Sequence, residues 1–147
     1  MKWIFYLLPL LAGIAMSVQS GLNAQLRTQF NHPVLAALIS FLAGTVALLL
    51  VLLFSRQPMP SFQEYLQTDW WKFTGGLFGA FIVTATIISI SHIGASNMFV
   101  IIIAGQLLTA LIMDHYGLLG MPVQQISWNK VGGMLLLVAG AYLVNKK

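Results

Sequence analysis

The sequence predicts an all-α integral membrane protein with five transmembrane helices, and three observations carry that reading. Hydrophobic residues make up 59% of the 147 and charged residues only 7%, against about 25% charged in a soluble domain. The mean hydropathy is +0.87. Long apolar segments fill most of the chain, each near the ~20 residues that cross hydrocarbon as a helix with every backbone group satisfied internally. These are continuous apolar runs, not the ten-residue alternations of a β-barrel. Ten charged side chains are too few to coat a soluble surface, and no basic run offers a nucleic-acid footprint. The absence of cysteine excludes a disulfide framework, a thiolate nucleophile and a thiolate metal site. The expectation is one five-helix domain, residues 1–147, in contact with the lipid bilayer, with no nucleic-acid partner and no cofactor.

The first helix is expected over about 3–24. Met1-Lys2 before an apolar run resembles a secretory signal peptide, with Gly13-Ile14-Ala15 as a loose cleavage site. The apolar stretch is longer than a signal core, so the segment reads as a retained span. The second helix is expected over 33–54, with Asn31-His32-Pro33 as cap and first-turn proline. The connection Ser55–Asp69 is the most polar stretch. Within it Ser61-Phe62-Gln63-Glu64 reads as a capping box that starts a short interfacial helix. Trp70 and Trp71, followed by Lys72, read as an aromatic and cationic membrane anchor at the start of the third helix, 70–91. His92 to Asn97 forms a very short turn before the fourth helix, 95–113. Asp114 to Ile126, with Gly117, Gly120 and Pro122, reads as a loop, and Ser127 caps the fifth helix, 128–144.

Orientation is weakly encoded. With the N-terminus inside, one face of the membrane holds Lys2, Arg56, Lys72 and Lys130, and the other holds Arg27, Lys146 and Lys147. Positive charge retained inside is the main orientation signal, and four against three is nearly no instruction. Two readings follow: a weakly biased protein oriented by other signals, or dual topology with copies pairing antiparallel. Five helices are half of an inverted-repeat transporter, and an antiparallel pair would supply both halves.

Small residues that let helix backbones approach recur on several faces. They are Ala36, Ser40, Ala43, Gly44 and Ala47 in the second helix. The third has Gly75, Gly79 and Thr86, and the fifth has Gly133, Gly140 and Val144. Ordinary packing explains each of them, and the fifth helix is the best placed to form a subunit contact.

Polar side chains within the spans are the candidate site, because they are costly in hydrocarbon and face a cavity or a partner. At about 100° per residue, Gly13, Met16, Ser20, Asn23 and Arg27 share one face of the first helix, with Gln19 at its edge. This stripe either lines a cavity or supplies interhelical hydrogen bonds, with Arg27 snorkelling to the headgroups. In the fourth helix Gln106 interrupts an apolar run and shares a face with Phe99, Ile102 and Met113. Its amide needs partners, from a cavity or from a neighbouring helix. Asp114 closes that helix where the dipole disfavours an anion. Within one protomer Arg27 and Asp114 fall on opposite membrane sides, whereas in an antiparallel pair they share one, as a cross-subunit ion pair or gate. His32, His92 and His115 show no metal spacing, and no nucleophile elbow, phosphate loop or dinucleotide fingerprint is present. No catalytic residue is expected.

Several of these segments together resemble one family. They are the Gln-Ser-Gly-Leu-Asn-Ala-Gln-Leu-Arg run of 19–27, Gly75-Gly76-Leu77-Phe78-Gly79-Ala80, Gly105-Gln106, Asp114-His115-Tyr116-Gly117-Leu118-Leu119-Gly120 and the glycines of the last helix. The chain resembles the small five-helix members of the drug/metabolite transporter superfamily, and more closely the YdcZ-like bacterial family, over essentially its whole length. The resemblance implies a bacterial inner-membrane protein, working as an antiparallel homodimer or with a paired homologue, in a fold of two five-helix inverted repeats. The four-helix multidrug and guanidinium exporters of that superfamily use a membrane-embedded glutamate in the first helix, and this first helix has no acid. Amides, hydroxyls and an arginine suit a neutral, zwitterionic or anionic solute better. The expectation is a small secondary transporter binding solute through Gln19, Ser20, Asn23 and Gln106, with Arg27 and Asp114 at the mouths. A channel with the same dimer and a non-transporting assembly protein are the alternatives.

Overall fold

A computed structural model describes residues 3–56 and 58–146. Lys2 and Lys147, two of the charges in the orientation count, lie outside the described residues. All regular structure among the described residues is helical: α1 Ile4–Phe30, α2 Pro33–Ser55, α3 Phe62–Gln67, α4 Gly75–Ile93, α5 Ala95–Tyr116 and α6 Trp128–Asn145. Single 3-10 turns at Trp70–Thr74 and Leu118–Gly120 complete it. The chain divides into two compact units, Met1–His92 and Ile93–Lys147.

Four helical segments are long and apolar enough to cross a membrane: Ile4–Phe30, Pro33–Ser55, Trp70–Ile93 and Ala95–Tyr116. The fifth expected span forms as the 18-residue helix α6 but is not among the four. Asn129, Lys130 and Asn145 stand inside its ends, so the apolar stretch between them is shorter than the ~20 residues a span requires.

Local chemistry sets the helix ends, and several lie beyond the expected ones. α1 has 27 residues, about 40 Å at ~1.5 Å each, more than the ~30 Å of hydrocarbon. The end expected near residue 24 falls short, and the helix runs on to Phe30. Thr28 Oγ1 donates to Ala24 O at 3.0 Å inside it. It stops only where Asn31 takes a left-handed φ of 51°, which asparagine tolerates better than most residues. His32 then caps α2, its Nδ1 accepting from the Leu35 N–H at 3.1 Å, with Pro33 at the first helical position.

The capping box is formed as expected. Ser61 Oγ accepts from the Glu64 N–H at 3.3 Å, and Glu64 Oε2 accepts from the Ser61 N–H at 2.6 Å. These contacts hold the Glu64 carboxyl below the usual carboxylate range, the Ser61 backbone bond being the larger cause. The start of the third expected span is a 3-10 turn rather than α-helix. There Lys72 pairs with Asp69 at 2.9 Å and lies 5.6 Å from the Trp71 ring centre.

The turn expected over 92–97 is a single residue. Gly94, at φ 77°, separates α4 from α5, and Ala95 to Asn97 already belong to α5. α5 continues through Asp114 to Tyr116, so the loop expected from Asp114 starts three residues later. Gly117 ends the helix at φ 62°, and a Cβ there would sit 2.8 Å from Val123 Cγ2. The loop folds back on the helix end. The Gln124 N–H donates to Asp114 O at 2.8 Å, and the Ile126 N–H donates to His115 Nδ1 at 3.4 Å. Ser127 caps α6 by accepting from the Lys130 N–H at 3.3 Å.

In the first unit α1 packs on α2, and α4 joins α2 through a small core. Ala36 and Ala37 meet Ile87, which is fully buried, with Leu26 and Val83 packed around them. The two alanines seat the Ile87 side chain, and a Cβ added at Gly79 of α4 would touch Phe41 at 3.4 Å. In the second unit α6 packs on α5.

Candidate functional site

The polar stripe of α1 divides between a buried side and an open side. Ser20 is 7% exposed and Asn23 3%, both turned into the first unit. Gln19 is exposed. Between α1 and α2 runs an open groove of about 510 Å³, lined by Gln19, Asn23 and Ser40 among apolar neighbours that include Leu22, Leu26 and Ile39. Two of the expected solute-binding residues therefore share a groove, and Ser20 lies beside it without lining it. Ser40 joins them, a residue whose place in a stripe of small side chains reads as packing. The helical spacing of Ser40 alone could not separate the two roles.

Arg27 sits two turns along α1 from Gln19 and Ser20. Its Nη1 donates to Ser91 Oγ on α4. The Ser91 hydroxyl in turn donates to Ile88 O at 2.8 Å. Arg27 is thus half-buried and held by a second helix, rather than only reaching outward to headgroups. Ser91 has no sequence signal, because its partner lies 64 residues away.

The remaining expected residues lie in the second unit or stand apart from the groove. Gln106 is exposed on α5. Asp114 is half-buried in the last turn of α5, where its backbone carbonyl holds the returning loop. Of the packing glycines, Gly79 makes a close contact, whereas Gly75, Gly133 and Gly140 each face open space within the protomer. Trp70 is 78% exposed and Trp71 45%, at the head of the third span. Among the described residues no group of three histidine or acidic side chains gathers as a metal site.

A groove of this kind accepts hydrogen bonds from, and donates them to, a solute while its walls stay compatible with hydrocarbon. The amides and the hydroxyl can do both, and none of the three carries a charge.

The family model described as "Putative inner membrane exporter, YdcZ" matches residues 4–143. The curated "Inner membrane protein YdcZ" of Escherichia coli (strain K12) is 31% identical over 137 residues, covering 92% of this chain and 91% of that protein. No solved structure matches the chain.

Proposed function

We propose a transport function for this chain, which belongs to the YdcZ family of inner-membrane proteins. With its several apolar spans it is a multi-pass protein of the bacterial inner membrane, in contact with lipid. The family's description as an exporter supports a transporter-like, non-enzymatic role. The observation that carries the finer reading is the groove between α1 and α2. It places Gln19, Asn23 and Ser40 on helices otherwise built for lipid, where polar side chains persist at a cost and mark solute paths.

In this reading the protein is a secondary transporter of a small polar or anionic solute. Gln19, Ser20, Asn23 and Gln106 hydrogen-bond the solute, and Arg27 and Asp114 act at the mouths of the cavity. Two copies, or this chain and a paired homologue, insert antiparallel and alternate access as inverted repeats. α6 crosses as the fifth span, carried by its partner helices, and the open faces of Gly133 and Gly140 meet the second copy. The near-equal split of positive charge supports dual insertion. Saturable flux of a trial solute set in proteoliposomes, lost in Asn23→Leu and Gln106→Leu, tests the carrier. Linear, non-saturating flux would make it a channel. Single cysteines at either end of this cysteine-free chain label from both membrane sides if topology is dual, and labelling from one side alone leaves only the paired-homologue version.

One observation favours the second reading, a non-transporting assembly protein. Asn23 is almost fully buried, as an amide used for helix packing would be. The exposure of Gln106 speaks the other way.

A further inference from the structure

One helical turn past Asn23, which lines the groove, stands Arg27, which does not line it. Arg27 ends the polar face of α1, and Ser91 anchors it from α4. Anchoring matters because an arginine already held in place loses less freedom when it captures a ligand. Ser91 uses its own proton on Ile88 O, so it serves the guanidinium as an acceptor only. Arg27 keeps the other N–H donors of its fork.

The carboxylates of the first unit are engaged elsewhere. Glu64 is bound in its capping box and Asp69 pairs with Lys72. Among the described residues of that unit, then, Arg27 is a half-buried, positioned cation whose carboxylate must come from outside it. Below it along α1 lie Asn23 and Gln19. The span from Arg27 to Gln19 is eight residues, about 12 Å at ~1.5 Å per residue. Leu22, Leu26 and Ile39 give the same groove apolar walls.

We propose that Arg27, fixed by Ser91, and the groove beneath it form one binding site for a small amphipathic anion, a carboxylate on a compact apolar body. The guanidinium takes the carboxylate in its fork. The body lies against the leucines, and Asn23, Gln19 and Ser40 hydrogen-bond any polar substituent. A dissolved solute fits better than a phospholipid. An acyl chain laid over two amides and a hydroxyl would leave them without hydrogen-bond partners. The inference deepens the transport reading and rests on it for biological use, but binding is measured apart from flux.

The probe is radiolabelled benzoate, bound to the full chain in phosphatidylcholine nanodiscs, with benzyl alcohol and benzylammonium as neutral and cationic competitors. Benzoate binds saturably and neither competitor displaces it. Arg27→Gln weakens binding about tenfold or more, Arg27→Lys less, and Ser91→Ala by severalfold, since a carboxylate fork contact is worth more than one decade. If Arg27→Gln fails to fold, Arg27→Lys and Ser91→Ala keep the charge and carry the measurement. Unchanged affinity in both folded variants, or equal displacement by benzylammonium, overturns the site. Full displacement by phosphatidylglycerol at a few mole per cent overturns the solute assignment in favour of a lipid. Arg27-dependent binding without benzoate flux refutes only the transport reading, and flux without such binding refutes only this site.

Discussion

Gly133→Leu and Gly140→Leu on α6 separate the role of that helix within a protomer from its role between copies. No atom lies within 4 Å of a Cβ added at either glycine. A substitution there has room at its Cβ, and replacing glycine in a helix interior favours the helix by about 0.8–1.0 kcal/mol. In the proposed antiparallel pair the cost falls on the second copy. Overpacking a close helix contact costs about 1–3 kcal/mol. An antiparallel pair of identical chains meets through a self-complementary face, so each substitution is felt twice. The expected penalty is about 2–6 kcal/mol per mutation, or about one to four decades in the association constant. The assay is the dimer fraction in liposomes, read by single-molecule photobleaching across a dilution series in lipid. Gly79→Leu is the control. Its Cβ alone reaches van der Waals contact with Phe41 inside the first unit, at 3.4 Å, so the rest of the leucine crowds that ring and lowers thermal stability of the monomer itself. A dimer fraction unchanged by both α6 leucines refutes the assignment of α6 as the subunit contact.

Three further outcomes are expected. Gly117→Ala lowers the melting temperature in detergent, because φ is 62° and the new methyl meets Val123 Cγ2 at 2.8 Å; the left-handed backbone alone costs about 1–3 kcal/mol, and an unchanged melting curve would refute the strain. Asn23→Leu leaves stability level or higher if the amide serves solute; if it serves packing, stability falls by about 0.6–1.7 kcal/mol, as equilibrium unfolding in mixed micelles would show. Glu64 is held below its ordinary range, so its contribution to α3 is present above that range and fades as pH falls through the lowered value. Protection of the amides over Phe62–Gln67, taken relative to intrinsic exchange at each pH, should fall there, and Ser61→Ala should lower it at every pH.

The starts of the helices were legible because capping is local. His32 and Pro33, Ser61 with Glu64, and Ser127 each act within three residues of the turn they begin. The ends were less so. The first helix was expected to end near residue 24, but a helix can continue into water, and α1 stops only at the left-handed Asn31. The last turn of α5 was hidden in the same way behind Asp114 and His115. α6 is helical for its internal pattern, and polar residues at both ends make its apolar stretch shorter than those of the other four. In the candidate site, period and spacing put Asn23 on the polar face of α1 with Gln19 at its edge, and both line the groove. They failed for Ser91, since a contact between helices 64 residues apart leaves no trace in either segment. Ser40 was visible but ambiguous, because a hydroxyl on a small-residue stripe fits packing and lining equally well.

The charges of the membrane helices bear on what drives transport. A carrier that exchanges protons for cations needs a carboxylate in the cavity to hold either one. α1 has none, and the acids of the first unit belong to the polar connection between α2 and α4. What α1 has instead is Arg27, whose guanidinium offers a fork of N–H donors and no acceptor. In the proposed site such a fork takes up an anion. Its occupancy must follow the anion, whose charge it neutralises on binding. The neutral amides of Gln19 and Asn23 add no titration of their own. In the proposed carrier, coupling then lies in the solute, in a second ion that travels with it, or at Asp114, and the membrane potential acts on whatever net charge the occupied site carries.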